Sequence, residues 1–421
     1  MDVTTSPGAR AGAGSAVVAL PPTVPMAGYG TRTEPSSGVL RPLEVNALAL
    51  GYADHLVLLL AVDAVGVDRG FVAAIRESVA DRGFGADQVL VAASHTHSGP
   101  AGLRTGGAEG AAAVDPVVRG AYLDATRAAV DAALASVGPA EVSVRTGQVP
   151  GVAAHRHDPT RPVDQSATLL LIADRRGNPL AYLWNFACHP TVLGARNTLI
   201  SPDLPGDVRA ALRADTDLPV LYVNGTAGDV STRFTRQAQT PQELRRLAGL
   251  VTEAWHGPWR PVRVAPTRTC REVVELPAAS DDPSAVRRRL TAAEARLADE
   301  ADTPRRRVLE TEVQGLRRRL DRVRSGEPTQ PVIAEAHTIV LGDLALAALP
   351  GEPVTAVGRT VRAASRYPVT LPIGYAGDYI GYLTTADMTT GYEAEVAIAA
   401  PGAAELVAAA LARQLRTLEE A

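Results

Sequence analysis

Two imidazoles lie two residues apart in Ser94-His95-Thr96-His97-Ser98-Gly99-Pro100, directly after the apolar run Val89-Leu90-Val91-Ala92-Ala93. Imidazole is the commonest protein ligand for zinc, and neutral histidine also acts as an acid or base near pH 7. In an extended chain, residues two apart share a face, so His95 and His97 are expected to look into one crevice. Taken alone, such a pair also fits loop histidines bonded to backbone. Three more stretches repeat the pattern of polar groups gathered where an apolar run stops. They are Asn185-Phe186-Ala187-Cys188-His189-Pro190, the loop from Asn224 through Gly228-Asp229-Val230 to Ser231, and Pro350-Gly351-Glu352. Tyr379-Ile380-Gly381-Tyr382-Leu383-Thr384-Thr385 and Tyr392-Glu393 complete the set.

The elements that would carry these groups can be read from periodicity. The run Leu56–Val62 is continuously apolar, as a strand covered on both faces should be, and it ends in Asp63. A helix over Phe71–Asp81 and the strand ending at Ala93 complete a β-α-β unit, which places Asp63 and His95 on one sheet edge. Val117–Val137 reads as a helix after Pro116, and Ala140–Val149 as a strand. Thr168–Ile172 and Leu180–Ala187 flank the turn Arg175-Arg176-Gly177-Asn178, a hairpin that delivers His189. Leu204–Ala214 is a predicted helix, and Val220–Val223 a short buried strand opening into the loop that ends at Ser231. Strands Val332–Val340 and Leu344–Leu349, a helix from Pro353 to Ala364, an extended segment Val369–Thr385 and a helix over Leu406–Leu418 close the chain. The expected class is α/β, with mixed β-sheets and flanking helices.

Residues 281–326 differ in character. Val286, Leu290, Ala293 and Leu297, then Leu309, Val313, Leu316, Leu320 and Val323, follow the spacing of a coiled-coil seam. Asp302-Thr303-Pro304 between them offers an N-cap at Thr303 with Pro at the first helical position. An antiparallel helical hairpin is expected here, inserted into the rest of the domain and available as a dimer arm. Its arginine triplets read as solvated surface.

Composition removes several function classes. All 42 cationic residues are arginine, so there is no Schiff-base lysine, no pyridoxal anchor and no phosphate-loop lysine. A net charge of −4 without a basic stripe argues against nucleic acid as a partner. Heavy Arg, Ala and Val usage suggests a high-GC bacterial source. Cys188 and Cys270 are too few and too far apart for a disulfide framework, and Cys188 reads as a buried inert thiol. Residues 1–24, rich in Gly, Ala, Ser and Pro, read as a disordered lead-in, leaving 25–421 as a single domain. That lead-in lacks the marks of an export signal, so a cytoplasmic protein without stable membrane insertion is expected.

In their order along the chain, the six motifs resemble the neutral, non-lysosomal ceramidase family, specifically its N-terminal catalytic domain and shorter bacterial homologues. The likeness starts near Met26-Ala27-Gly28-Tyr29-Gly30 and spares the helical hairpin. It implies Zn²⁺ held by His95, His189, Glu352 and Tyr382, the last through its phenolic oxygen. It also implies His97, Arg156, Ser231 and Tyr392 along the scissile amide, with Ser231 either nucleophile or orienting group. Asp229 reads as a loop-fixing acceptor. Thr232-Arg233 stands where the family has Pro-Asn, a departure at the substrate side.

The implied activity is cleavage of a linear N-acyl amide by metal-activated water, with Arg156 stabilising the oxyanion and His97 passing a proton to the departing amine. The family's ceramidases are typically exported and carry an additional C-terminal β-domain, neither of which is seen in this sequence. A smaller soluble N-acyl amino compound, in specialised rather than lipid metabolism, is therefore expected as substrate ahead of ceramide. Two alternatives stand beside it: an acyltransferase forming an amide in the same site, and a noncatalytic zinc protein whose hairpin recruits a partner.

Overall fold

The structure is a computed structural model that describes residues 8–104, 113–214, 216–325 and 330–420. The fold is α/β, built from mixed sheets with flanking helices. In the larger sheet the strands run Val220–Asn224, Pro179–Phe186, Ser166–Asp174, Gly138–Gln148, Ala9–Val17, Glu44–Tyr52, His55–Val62 and Val89–Ala93, with Arg260–Val262 added beside Gly138–Gln148. A second sheet orders Thr267–Leu276, Val332–Leu341, Leu344–Ala348 and Val369–Ile373.

Continuous apolar strands require a cover on each face, and period-two alternation shows what each face meets. Leu58 and Leu60 point to a core shared with Phe71 and Ile75 of helix α1 (Arg69–Ser78) and Tyr122 and Ala129 of α2 (Pro116–Ala135). Their neighbours Val57 and Leu59 point the other way, into a core that also holds Ile339, Leu344, Leu346 and Leu371 of the second sheet. The two sheets thus pack face to face. Helices α3 (Leu204–Arg213) and α4 (Pro241–Glu253) cover the far half of the larger sheet through Val208, Leu244 and Leu247 against Trp184 and Leu169.

Beyond them come α5 (Pro283–Asp299), α6 (Thr303–Ser325), α7 (Thr355–Ala364), the short α8 (Tyr392–Val396) and α9 (Ala403–Glu420). Val357 and Val361 of α7 and Val407, Leu411 and Leu415 of α9 pack onto Ala345 and Ala347, the outer face of the second sheet. Helices α5 and α6 share a small core of Val286, Ala293, Val313, Leu316 and Leu320. The cap of α6 falls to Asp302 rather than Thr303: its carboxylate accepts the Arg305 amide at 3.1 Å. Nor is the Arg317-Arg318-Arg319 triplet all solvated surface. Arg319 pairs with Asp281 and Glu395, and Arg318 Nη1 donates to the Tyr392 hydroxyl at 2.9 Å, so α6 is fastened to α8.

The largest departure from expectation is at the start of the chain. Residues 1–7 lie outside the described residues, but Ala9–Val17 is a strand inside the larger sheet, in antiparallel register with Glu44–Tyr52 from Ala9↔Tyr52 to Val17↔Glu44. Small residues serve close packing here rather than disorder. A Cβ on Gly12 would stand 2.2 Å from the Ala133 carbonyl oxygen and one on Gly14 2.3 Å from that of Ala129, so α2 lies directly on this strand.

Candidate metal centre

The parallel strands His55–Val62 and Val89–Ala93 end together, with Val62 opposite Ala93. The chain then turns: the Ser94 amide donates to Val62 O, and the His95 amide to Ala64 O at 2.8 Å. His95 takes a left-handed backbone, φ 67°, a conformation that costs a non-glycine residue about 1–3 kcal/mol and needs support from its surroundings. The ring supplies some of it, stacking on Tyr375 at 4.1 Å with Nδ1 2.6 Å from Val65 O. His95 and His97 do face one another, with ring centroids 4.7 Å apart, but this turn brings them together rather than strand alternation. Asp63 stays close along the backbone yet takes no part in the site. Its carboxylate forms a buried bidentate pair with Arg209 at 2.8 and 2.9 Å.

His189 follows the strand Pro179–Phe186 and is anchored by its amide to Val230 O at 3.0 Å. Asn224 ties the two histidine segments together: its Nδ2 donates to Ser94 O at 3.3 Å and Cys188 O at 3.1 Å, and its Oδ1 accepts the Cys188 amide at 3.3 Å. Glu352 and Tyr382 come from the second half of the chain as register partners in the short parallel pair Glu352–Pro353 and Tyr382–Leu383.

Ligand-capable nitrogens of His95, His97 and His189 all lie within 4.8 Å of one another, and this buried group could hold a metal ion. Glu352 Oε2 is 3.0 Å from His189 Nε2 and 3.3 Å from His95 Nε2, with Glu352 and both rings almost wholly buried. His189 Nδ1 faces the carbonyls of Ala227 and Val230 at 2.7 and 3.1 Å, and His95 Nδ1 that of Val65, so the ring proton of each belongs on Nδ1. This leaves lone pairs on both Nε2 atoms, directed at a carboxylate. Neither His189 Nε2 nor Glu352 Oε2 has a hydrogen-bond partner among the described residues.

Burial pushes His189 down to about 4, and burial with His95 and His189 alongside holds His97 well below the usual histidine range. Burial opposes ionisation of Glu352, but the flanking His95 and His189 rings hold it well below the usual carboxylate range. An ionised carboxylate at this depth needs positive charge nearby; Arg156 supplies part of it, and a bound cation would supply more.

A second cluster adjoins the first. Arg156 Nη1 donates to the Tyr382 hydroxyl at 3.0 Å, while its Nε lies 3.3 Å from Glu393 Oε1. Its guanidinium sits 5.3 Å from the Tyr392 ring centroid. Arg156 is thus a buried group next to Tyr382 rather than a surface ion-pair residue. Ser231 is reached through an isolated bridge to His189 and pairs in register with Ala154. Asp229 fixes its loop as expected, accepting the Thr355 amide at 2.8 Å and hydroxyl at 2.7 Å. Cys188 is buried, and that burial raises its thiol above the ordinary range.

Two contributors escaped the sequence reading. Tyr379 donates to Glu352 Oε1, the oxygen facing away from His189. His157 Nε2 lies 2.6 Å from Glu393 Oε2, which holds Glu393 beside Arg156. The only sequence signals for these were the first tyrosine of Tyr379-Ile380-Gly381-Tyr382 and the tripeptide His155-Arg156-His157.

Residues 10–217 match the family model described as neutral/alkaline non-lysosomal ceramidase, N-terminal. Over this stretch, just under half of its length, the chain is similar to that ceramidase family. Two solved structures share the ceramidase fold across nearly the whole chain. The first, neutral ceramidase from Pseudomonas aeruginosa, aligns with TM-score 0.79 at 17% identity, covering 99% of this chain and 75% of that one. The second, a ceramidase complexed with C2, aligns with TM-score 0.77 at 17% identity, covering 99% and 76%. No curated protein sequence matches the chain. Among the described residues no helix is long and apolar enough to cross a membrane.

Proposed function

We propose that this chain is a zinc-dependent amidohydrolase that cleaves a linear N-acyl amide. One observation carries the reading: His95 Nε2 and His189 Nε2 both lie within 3.3 Å of Glu352 Oε2 in a buried site, with no hydrogen-bond partner among the described residues for either of the last two. Nitrogen and oxygen donors in this number suit Zn²⁺, and Tyr382 stands next to Glu352 as the fourth expected ligand. When bound, such an ion supplies Lewis acidity toward a carbonyl oxygen and lowers the pKa of water.

The chain's own groups account for the remaining needs of amide hydrolysis. A tetrahedral oxyanion requires a fixed positive charge, and Arg156, held by Glu393 from one side and Tyr382 from another, presents one with no freedom to swing away. Water must lose a proton and the departing nitrogen must gain one. His97 Nδ1, buried without a hydrogen-bond partner, takes the proton up and returns it. Ser231 and Tyr392 flank this group and orient the amide by hydrogen bonds.

The test joins metal content to turnover. Wild type purified with zinc should carry about one ion per chain and hydrolyse members of an N-acyl amide panel. His189→Ala should lose both, by at least about 100-fold in kcat/KM. A full-length His189→Ala that keeps wild-type metal content and turnover sinks the assignment.

A further inference from the structure

Past His189 and past Ser231, the two segments that deliver these residues both line a cavity of about 310 Å³. It is lined by Arg196, Arg233, Arg236 and, from the start of α6, Arg307, together with the amides of Gln237 and Gln239. No carboxylate lines it. Several buried or half-buried guanidiniums in this chain meet acids, as Arg209 meets Asp63, Arg213 meets Glu44 and Arg319 meets Asp281. None of these four is ion-paired among the described residues. Instead Arg236 Nη1 donates to Thr191 O at 2.6 Å, and Arg233 Nη1 to Arg156 O at 3.0 Å. The Arg233 amide also donates to Ser231 Oγ at 3.3 Å, so one residue touches both the catalytic cluster and the cavity. Burial, with Arg156 close by, lowers Arg233 to about 10.

Arg233 and Arg236 are half-buried in this cavity and Arg196 and Arg307 stand exposed at its edge; guanidiniums lining one cavity repel one another, and an anion between them would relieve this. Guanidinium forks match the oxygen pairs of carboxylate and phosphate, to which they bond in a bidentate manner. We propose that this cavity binds an anionic group, carboxylate or phosphate, on the amine side of the N-acyl amide whose scissile bond lies at the histidine cluster. The proposal rests on the amidohydrolase reading and narrows it to charged substrates.

Three substrates with one acyl chain test it: N-dodecanoylglycine, N-dodecanoyl-O-phosphoethanolamine and the neutral N-dodecanoylethanolamine, each given to zinc-loaded wild type, Arg196→Glu and Arg307→Glu. At least one anionic amide should exceed the ethanolamide by about tenfold or more in kcat/KM. The preference should shrink by about tenfold in each variant, with ethanolamide turnover unchanged. Which anionic amide leads decides between carboxylate and phosphate. Equal turnover of all three by wild type, or a preference untouched by both variants, overturns the proposal. Titration with inorganic phosphate by calorimetry provides a readout apart from turnover. Should no amide be hydrolysed, the amidohydrolase reading fails, and the cavity is judged by phosphate alone. Binding weakened at least about fivefold in both variants supports it, and binding equal to wild type overturns it.

Discussion

At the scale of single residues, the centre is held by second contacts as much as by its ligand-capable atoms. His95 is confined to one orientation by Val65 O and the Tyr375 ring, and His189 by two carbonyls. The Glu352 carboxylate is turned by Tyr379, whose hydroxyl occupies Oε1 and leaves Oε2 for the histidines. Removing that hydroxyl frees the carboxylate to rotate. Tyr379→Phe should therefore keep the fold and weaken metal affinity by about 10–100-fold, measured by competition with a chelating dye. Unchanged affinity would mean that the packing around Glu352, rather than Tyr379, sets its direction. Tyr379 lies three residues before Tyr382 in a segment already noted for its tyrosines. No rule of spacing says which of them reaches the carboxylate, because only the path of Gly377 to Gly381 decides it.

At the scale of elements, the strands were the readable part and the first of them was not. His55–Val62, Val89–Ala93 and Val220–Asn224 announce themselves because both faces are covered, so almost every residue is apolar. Ala9–Val17 carries the same burden with Gly, Ala and Ser, since α2 lies too close for larger side chains. In sequence, such a stretch cannot be told from a flexible linker. Gly14→Val tests the difference: a side chain driven into the Ala129 and Ala133 backbone should lower stability by more than about 2 kcal/mol in urea unfolding. A disordered lead-in would leave the midpoint where it is. Strand Glu44–Tyr52 and helix α4 likewise went unread, although Thr240 caps α4 by accepting the Glu243 amide and Pro241 opens it.

At the scale of the whole molecule, stability should follow pH through groups buried between elements. His337, in the strand Val332–Leu341, is almost fully buried, and its Nε2 lies 2.8 Å from Asp87 O, so the neutral ring donates there. Burial lowers it to about 4. The unfolded chain takes up this proton below about pH 6.5, whereas the folded chain resists until about 4. The stabilisation is complete above pH 6.5 and declines as pH falls toward 4, by at most about 3 kcal/mol from this residue. Chemical unfolding of wild type from pH 7 to pH 4.5 should show a steeper loss than His337→Leu over the same interval. Parallel losses in the two proteins would remove His337 as a contributor.

Across these scales, the sequence by itself determined the fold class, most of the buried strands and the identity of the residues that meet at the centre. Covered strands must be apolar, and the polar groups needed for chemistry then collect at their ends, where both facts are visible in one dimension. The order of six such motifs also carried the ceramidase likeness. Tertiary structure alone decided what lies between and around them. Which carbonyl fixes each imidazole tautomer, which tyrosine turns Glu352, and which arginines are left without an acid all depend on contacts between residues tens to hundreds of positions apart. No local spacing encodes such contacts.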